Sequence, residues 1–213
     1  MEIAIFQFSL FGINTYLLFD PDTKVCVIID PGMSLKREED AIDNFISEKG
    51  LRLTHIINTH LHIDHAAGIP FLQKKYGAPL LSHKDDENLG KRIQEQAVMF
   101  GLPLDLSNVE ISQYINDGDK IQVGKSVLEV ISVPGHSKGS IALYAPKEGY
   151  LFSGDALFQG SIGRTDLPGG DYRELMHSLK DKVLSLPDQT VVFPGHGPST
   201  TIRDEKRSNP FLV

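Results

Sequence analysis

Residues 59–65, Thr-His-Leu-His-Ile-Asp-His, constrain this chain more than any other stretch. They follow a short apolar run, lead into an amphipathic segment, and set His60, His62, Asp64 and His65 within six residues. Imidazole nitrogen and carboxylate oxygen suit zinc first, with iron or manganese also possible ligand partners. Two histidines two positions apart on an extended turn bring both rings to one ion; Asp64 and His65 then aim elsewhere, which suggests a second. A lone histidine is more often a satisfied polar residue. Four such groups together would be costly to bury unless a metal offset their desolvation.

Along the chain, strand patterns occupy 3–8, 14–19 and 25–29, separated by the turn chemistry of Phe11-Gly12 and Asp20-Pro21-Asp22. A helical stripe at 36–49, with Ala41, Ile42, Phe45 and Ile46, closes at Gly50. His55 to Ile57 is a short buried strand whose carboxyl end delivers the histidine motif, where open α/β sheets place their ligands. A helix through Ile69, Phe71, Leu72 and Tyr76 ends at Gly77, and 79–82 is another strand. Residues 84–117 are polar and read as an insertion over the sheet, with a helix near 91–100. Helix packing accounts for Met99 and Phe100 more simply than a substrate lid does. A hairpin at 117–133 turns at Gly124 and begins a second sheet, followed by strands at 141–144, 150–153 and 190–193 and a helix at 171–186. Two similar halves, each running strands, helix, strand, imply one domain over 1–213 with two facing sheets.

The arrangement of strand, tight turn and ligand type recurs at Pro134-Gly135-His136, at Gly154-Asp155 and at Gly195-His196-Gly197. His55, His83 and His177 lack such company and read as ordinary polar residues. His60, His62, His65, His136 and His196, with Asp64 and Asp155, make seven ligands. That is more than one tetrahedral zinc uses and enough for two ions sharing a carboxylate.

With these residues in place the chain resembles the metallo-β-lactamase fold superfamily: His-x-His-x-Asp-His at 60–65, Gly-His at 135–136, Gly-Asp at 154–155 and Gly-His-Gly at 195–197. The resemblance implies an α/β fold, a four-layered αββα sandwich of the metallo-β-lactamase type. It also implies one ion on His60, His62 and His136, a second on Asp64, His65 and His196, and Asp155 bridging the two. The stretch Ser153 to Asp171 is similar to that of glyoxalase II-like hydrolases and persulfide dioxygenases, and Glu205-Lys-Arg-Ser-Asn-Pro-Phe211 resembles the ending of compact glyoxalase II-like proteins.

The implied activity is hydrolysis of a small thioester, S-lactoylglutathione or a related one, by attack of metal-bound hydroxide, with Asp64 orienting that hydroxide. The sequence ends shortly after His196, without the helical extension whose basic residues hold glutathione in long glyoxalase II enzymes. Asp30, Ser137, Arg164 and Asp166 are candidates for supporting contacts; for Arg164, pairing with a carboxylate is favoured over substrate contact. The runner-up is a persulfide dioxygenase using a single iron on glutathione persulfide. A non-catalytic metal-binding protein fits less well, because seven ligands for two ions leave coordination positions open.

Composition narrows the classes further. A net charge of −7 with no basic cluster argues against a nucleic-acid partner, in particular an RNA-processing nuclease. No apolar run approaches a membrane span, and no basic segment followed by a long apolar stretch opens the chain, so a cytoplasmic protein with a small-molecule substrate is expected. The missing leader and the Gly-Arg-Thr-Asp stretch also disfavour a true β-lactamase. Cys26, the single cysteine, sits in an apolar run and reads as core.

Overall fold

A computed structural model describes residues 1–104, 106 and 109–213. The first half opens with β1 (Glu2–Gln7), β2 (Asn14–Phe19), β3 (Val25–Ile29), α1 (Lys36–Glu48) and β4 (Arg52–Ile57). Then come α2 (Ile63–Ala66), α3 (Ile69–Tyr76), β5 (Leu80–Ser82), α4 (Glu87–Lys91), α5 (Ile93–Met99) and β6 (Gln113–Tyr114). The second half runs β7 (Lys120–Val123), β8 (Ser126–Ser132), β9 (Ile141–Ala145), β10 (Tyr150–Gly154), β11 (Leu157–Phe158) and β12 (Ser161–Ile162). It ends with α6 (Tyr172–Ser178), β13 (Val191–Pro194), β14 (Thr200–Thr201) and α7 (Ile202–Ser208).

Six strands pair in the order β1-β2-β3-β4-β5-β6, and six more in the order β14-β13-β10-β9-β8-β7. In the first sheet β1 and β2 pair antiparallel, as do β2 and β3, while β3, β4, β5 and β6 run parallel. Both faces of each central strand are covered, and the period-two geometry divides its side chains between them. In β2, Leu17 and Phe19 enter the core under the helices and Tyr16 and Leu18 enter the core between the sheets. In β3, Cys26 and Ile28 take the helix side and Val27 and Ile29 the inner side. A third core, with Leu151, Val192, Leu175, Leu179 and Ile202, joins the second sheet to α6 and α7. The layers are therefore helix, sheet, sheet, helix, as the sequence implies.

Cys26 is fully buried, which pushes its thiol up to about 12. The expected hairpin forms as β7 and β8 with Gly124 in the left-handed region, at φ +57°. The helix expected near 91–100 forms as α5, Ile93–Met99, preceded by the short α4 that ends at Lys91. The helix expected over 171–186 is α6 followed by a π-turn at Leu179–Val183. Among the described residues no helix is long and apolar enough to cross a membrane.

Hydrogen bonds stitch the two sheets together at one end. Ile141 N donates to Thr59 O at 2.9 Å, Asn14 N donates to Gly195 O at 2.7 Å, and the Tyr16 hydroxyl donates to Pro194 O at 2.5 Å. This end collects the segments that follow β4, β8, β10 and β13.

Candidate metal centre

Every one of the seven predicted ligands arrives at that end. His60 and His62 lie between β4 and α2, Asp64 and His65 are in α2, His136 follows β8, Asp155 follows β10, and His196 follows β13. The nitrogen and oxygen atoms of His60, His62 and His136 converge within 4.8 Å of one another, and so do those of Asp64, His65 and His196. Asp155 groups within the same limit with His60 and His65, one member of each triad. Among the described residues His55, His83 and His177 join no such group. His55 stands in β4, His83 accepts from Asp85 N at the start of a short helical turn, and exposed His177 pairs with Asp181.

Four of the rings are oriented from behind. His65 Nδ1 donates to Asp30 Oδ2 at 3.0 Å, His136 Nδ1 to Arg164 O at 2.8 Å, and His196 Nδ1 to Phe11 O at 3.2 Å. Thr59 Oγ1 donates to Asp30 Oδ2 at 2.7 Å, so it accepts from His60 Nδ1 at 3.1 Å. With each outer nitrogen protonated, each Nε2 lone pair faces the cluster, the arrangement that metal-ligating histidines require. His62 presents Nδ1 there, 2.9 Å from His136 Nε2.

The cluster fits divalent cations better than it fits itself. Three buried atoms, His60 Nε2, His65 Nε2 and Asp155 Oδ1, have no hydrogen-bond partner. His65 Nε2 and Asp155 Oδ1 approach to 3.3 Å without the alignment of a hydrogen bond. Buried polar atoms left in this way cost stability unless something else satisfies them. Burial, reinforced by neighbouring imidazoles, holds His60 well below the usual histidine range and His62 at about 4, so both remain neutral donors. Burial opposes a charge on His65, but Asp155, Asp30 and Asp64 outweigh it and raise the pKa, so a proton competes with a cation for Nε2. Burial likewise pushes Asp155 up, and His65, His136 and His196 outweigh it to keep the carboxylate ionised.

Supporting residues account for the convergence. Asp30, buried and at φ +50°, also accepts from Thr59 N at 2.7 Å, joining the end of β3 to both histidine positions after β4. Gly195 must be glycine, since a Cβ there would lie 2.3 Å from Asp155 Oδ1 and 2.6 Å from His65 Cε1. Ser137 Oγ donates to Asp86 at 2.8 Å. The Arg164 guanidinium pairs with Asp166 at 2.8 and 2.7 Å in solvent, as expected, and it is the Arg164 carbonyl that serves His136.

Three supports escape sequence reasoning. Asn58 Nδ2 donates to His65 O at 2.8 Å and to His60 O at 3.3 Å. Buried Asp86 accepts from Leu61 N, Ser137 Oγ and Gly139 N at 3.1, 2.8 and 2.7 Å, tying the His60 loop to the His136 loop. Gln96 Oε1 accepts from Ile63 N at 3.0 Å, and its amide donates to Leu61 O at 3.2 Å. The polar insertion is therefore a brace for the ligand loop as well as a cover. Core packing does not account for Met99 and Phe100, which are 62% and 41% exposed, although the Phe100 ring meets that of Phe11 edge-on at 5.7 Å. They line a cavity of about 560 Å³ that opens beside His62.

The metallo-beta-lactamase superfamily profile matches residues 9–196. The chain belongs to the metallo-β-lactamase superfamily. Within it, this metallo-hydrolase is 37% identical to the hydroxyacylglutathione hydrolase GloC of Haemophilus influenzae, covering all of this chain and 98% of that one. It is 31% identical to the mitochondrial persulfide dioxygenase ETHE1 of Bos taurus, over 93% of this chain and 71% of that one. Among solved structures, the BLEG-1 B3 metallo-β-lactamase superposes with a TM-score of 0.89 at 33% identity, each chain fully covered. TTHA1623 in a di-iron-bound form superposes with a TM-score of 0.87 at 35% identity, covering 98% of this chain and all of that one.

Proposed function

We propose that the chain, acting as one domain over residues 1–213, hydrolyses a small thioester, S-lactoylglutathione or a related acyl thioester, in the manner of glyoxalase II. The observation that carries this reading is the pair of triads sharing Asp155 between them, supported by full-length likeness to the Haemophilus hydrolase. His60, His62 and His136 would hold one divalent ion and Asp64, His65 and His196 the other, zinc being the first expectation and iron or manganese the others. Such a pair of ions supplies a water whose pKa falls towards about 7 and a Lewis acid for an acyl carbonyl.

The protein's own residues do the rest. Asp155 lies between the triads and holds them at a fixed separation. Asp64, whose Oδ2 lies 3.1 Å from His196 Nε2, keeps a carboxylate at the cluster that would orient a water bound there. Asp30 and the Arg164 carbonyl hold the rings so that no reorganisation is needed as charge develops.

The likeness to ETHE1 favours a second reading, a persulfide dioxygenase with a single iron. The complete Asp64-His65-His196 triad speaks for the binuclear hydrolase. One preparation distinguishes them: S-lactoylglutathione cleavage is expected, lost on chelation and restored by divalent metal, with no oxygen uptake on glutathione persulfide. Oxygen uptake without thioester cleavage would overturn the hydrolase. A chromogenic cephalosporin is the control that the likeness to BLEG-1 calls for, and no comparable turnover of it is expected.

A further inference from the structure

The cavity beside His62 is larger than a two- or three-carbon acyl group fills, so most of its wall is available to the thiol carrier. Much of that wall is apolar, formed by Leu89, Met99, Phe100, Leu167 and Pro168. Charged groups break it: the cations Lys138 and Arg92, and the carboxylates Asp85, Asp86 and Glu95, of which Asp86 is taken up by Leu61 N, Ser137 Oγ and Gly139 N and Glu95 by Arg92. Lys138 is presented in a fixed way. On one side Ser137 Oγ donates to buried Asp86 Oδ2 at 2.8 Å; on the other Gly139 N donates to Asp86 Oδ1 at 2.7 Å. The lysine stem passes Gly169, where even a Cβ would sit 3.7 Å from Lys138 Cγ. Among the described residues no carboxylate lies within 4.0 Å of Lys138 Nζ. Arg92, on the opposite segment, directs Nε and Nη2 to the same Glu95 oxygen at 2.7 and 2.5 Å, and its Nη1 has no partner among the described residues.

We propose that Lys138 selects the thiol carrier by holding a carboxylate on it, with Arg92 as the second cation and the α5 end packing the carrier's apolar stem. The proposal rests on the thioester-hydrolase reading. Lys138 is itself exposed, between buried Ser137 and Gly139, so its ammonium is open to a carrier while its backbone is held. A charge-assisted contact of this kind, set against the ordering of the lysine stem, is worth about a tenfold change in affinity.

The test compares S-lactoylglutathione, which bears carboxylates, with S-lactoyl-N-acetylcysteamine, whose carrier is neutral, and with lactoyl-coenzyme A, anionic through phosphates. In Lys138→Met the ratio of kcat/KM for the glutathione ester to that for the neutral ester is expected to fall about tenfold, mainly through KM. Lys138→Arg restores most of it. Calorimetry with S-methylglutathione, which cannot be hydrolysed, is expected to show the same loss of affinity in Lys138→Met. A ratio unmoved by Lys138→Met overturns the proposal and leaves the hydrolase reading standing, as does dependence on Lys138 with the coenzyme A ester alone. If no ester is cleaved but S-methylglutathione binds in a Lys138-dependent way, the hydrolase reading fails and the carboxylate site stands. Absence of any S-methylglutathione binding by the unaltered protein removes the site.

Discussion

Asp155→Ala is expected to lower kcat for thioester cleavage by at least about a thousandfold, with the fold retained. The size of the effect follows from position. Asp155 is grouped with His60 of one triad and His65 of the other, so removing its carboxylate deprives both of a shared anion. His65 then keeps only Asp30 and Asp64 nearby, at 3.0 and 3.8 Å. Steady-state kinetics on the metal-reconstituted protein, with circular dichroism to confirm folding, checks this. A variant that retains a tenth of the activity would show that the two triads do not work as a unit.

Asp30→Ala should give the largest loss of stability outside the ligands themselves. Its two oxygens accept from Thr59 N, Thr59 Oγ1 and His65 Nδ1, all buried. Truncation strands those donors and leaves an alanine at φ +50°, where a Cβ is strained. A cost of roughly 3 kcal/mol or more is expected, read from urea unfolding of the metal-free protein. Asp30→Asn separates structure from metal. Asparagine tolerates the left-handed backbone, but it has one acceptor oxygen for Thr59 and His65 to share. The Asn variant should lose less stability than the Ala variant, because it keeps one acceptor and the left-handed backbone, whereas chelator competition should find metal affinity about 10- to 100-fold weaker. Equal affinity in the Asn variant would mean that the orientation of His65 is set by its packing alone.

The predicted ligands were legible because they cluster just beyond strand ends: His60 after Ile57, with His62, Asp64 and His65 following within five residues, Asp155 after Gly154, and His196 after Pro194. Three of the seven stand beside glycine at a strand end and four crowd one short loop, and each pattern leaves a local signature. The braces leave none. Asp86 serves backbone and side-chain donors 25, 51 and 53 residues away, and within its own Lys-Asp-Asp-Glu surroundings it looks like part of a solvated face. Gln96 likewise bonds across 33 and 35 residues. Met99 and Phe100 were misread for a local reason. A helix carried on to residue 100 would put Phe100 on the stripe of Ile93, Gln96 and Ala97, but α5 ends at Met99. Ile93, Gln96 and Ala97 then face inward, and the last residues project over the cavity.

Counting metal most directly tests the claim that two half-sites from opposite sheets form one centre. Elemental analysis of the reconstituted protein is expected to find two ions per chain. His196→Ala, which opens the Asp64-His65-His196 triad, should keep one, and so should His136→Ala through the other triad. A single ion in the unaltered protein, or two ions retained in both variants, would contradict the assignment.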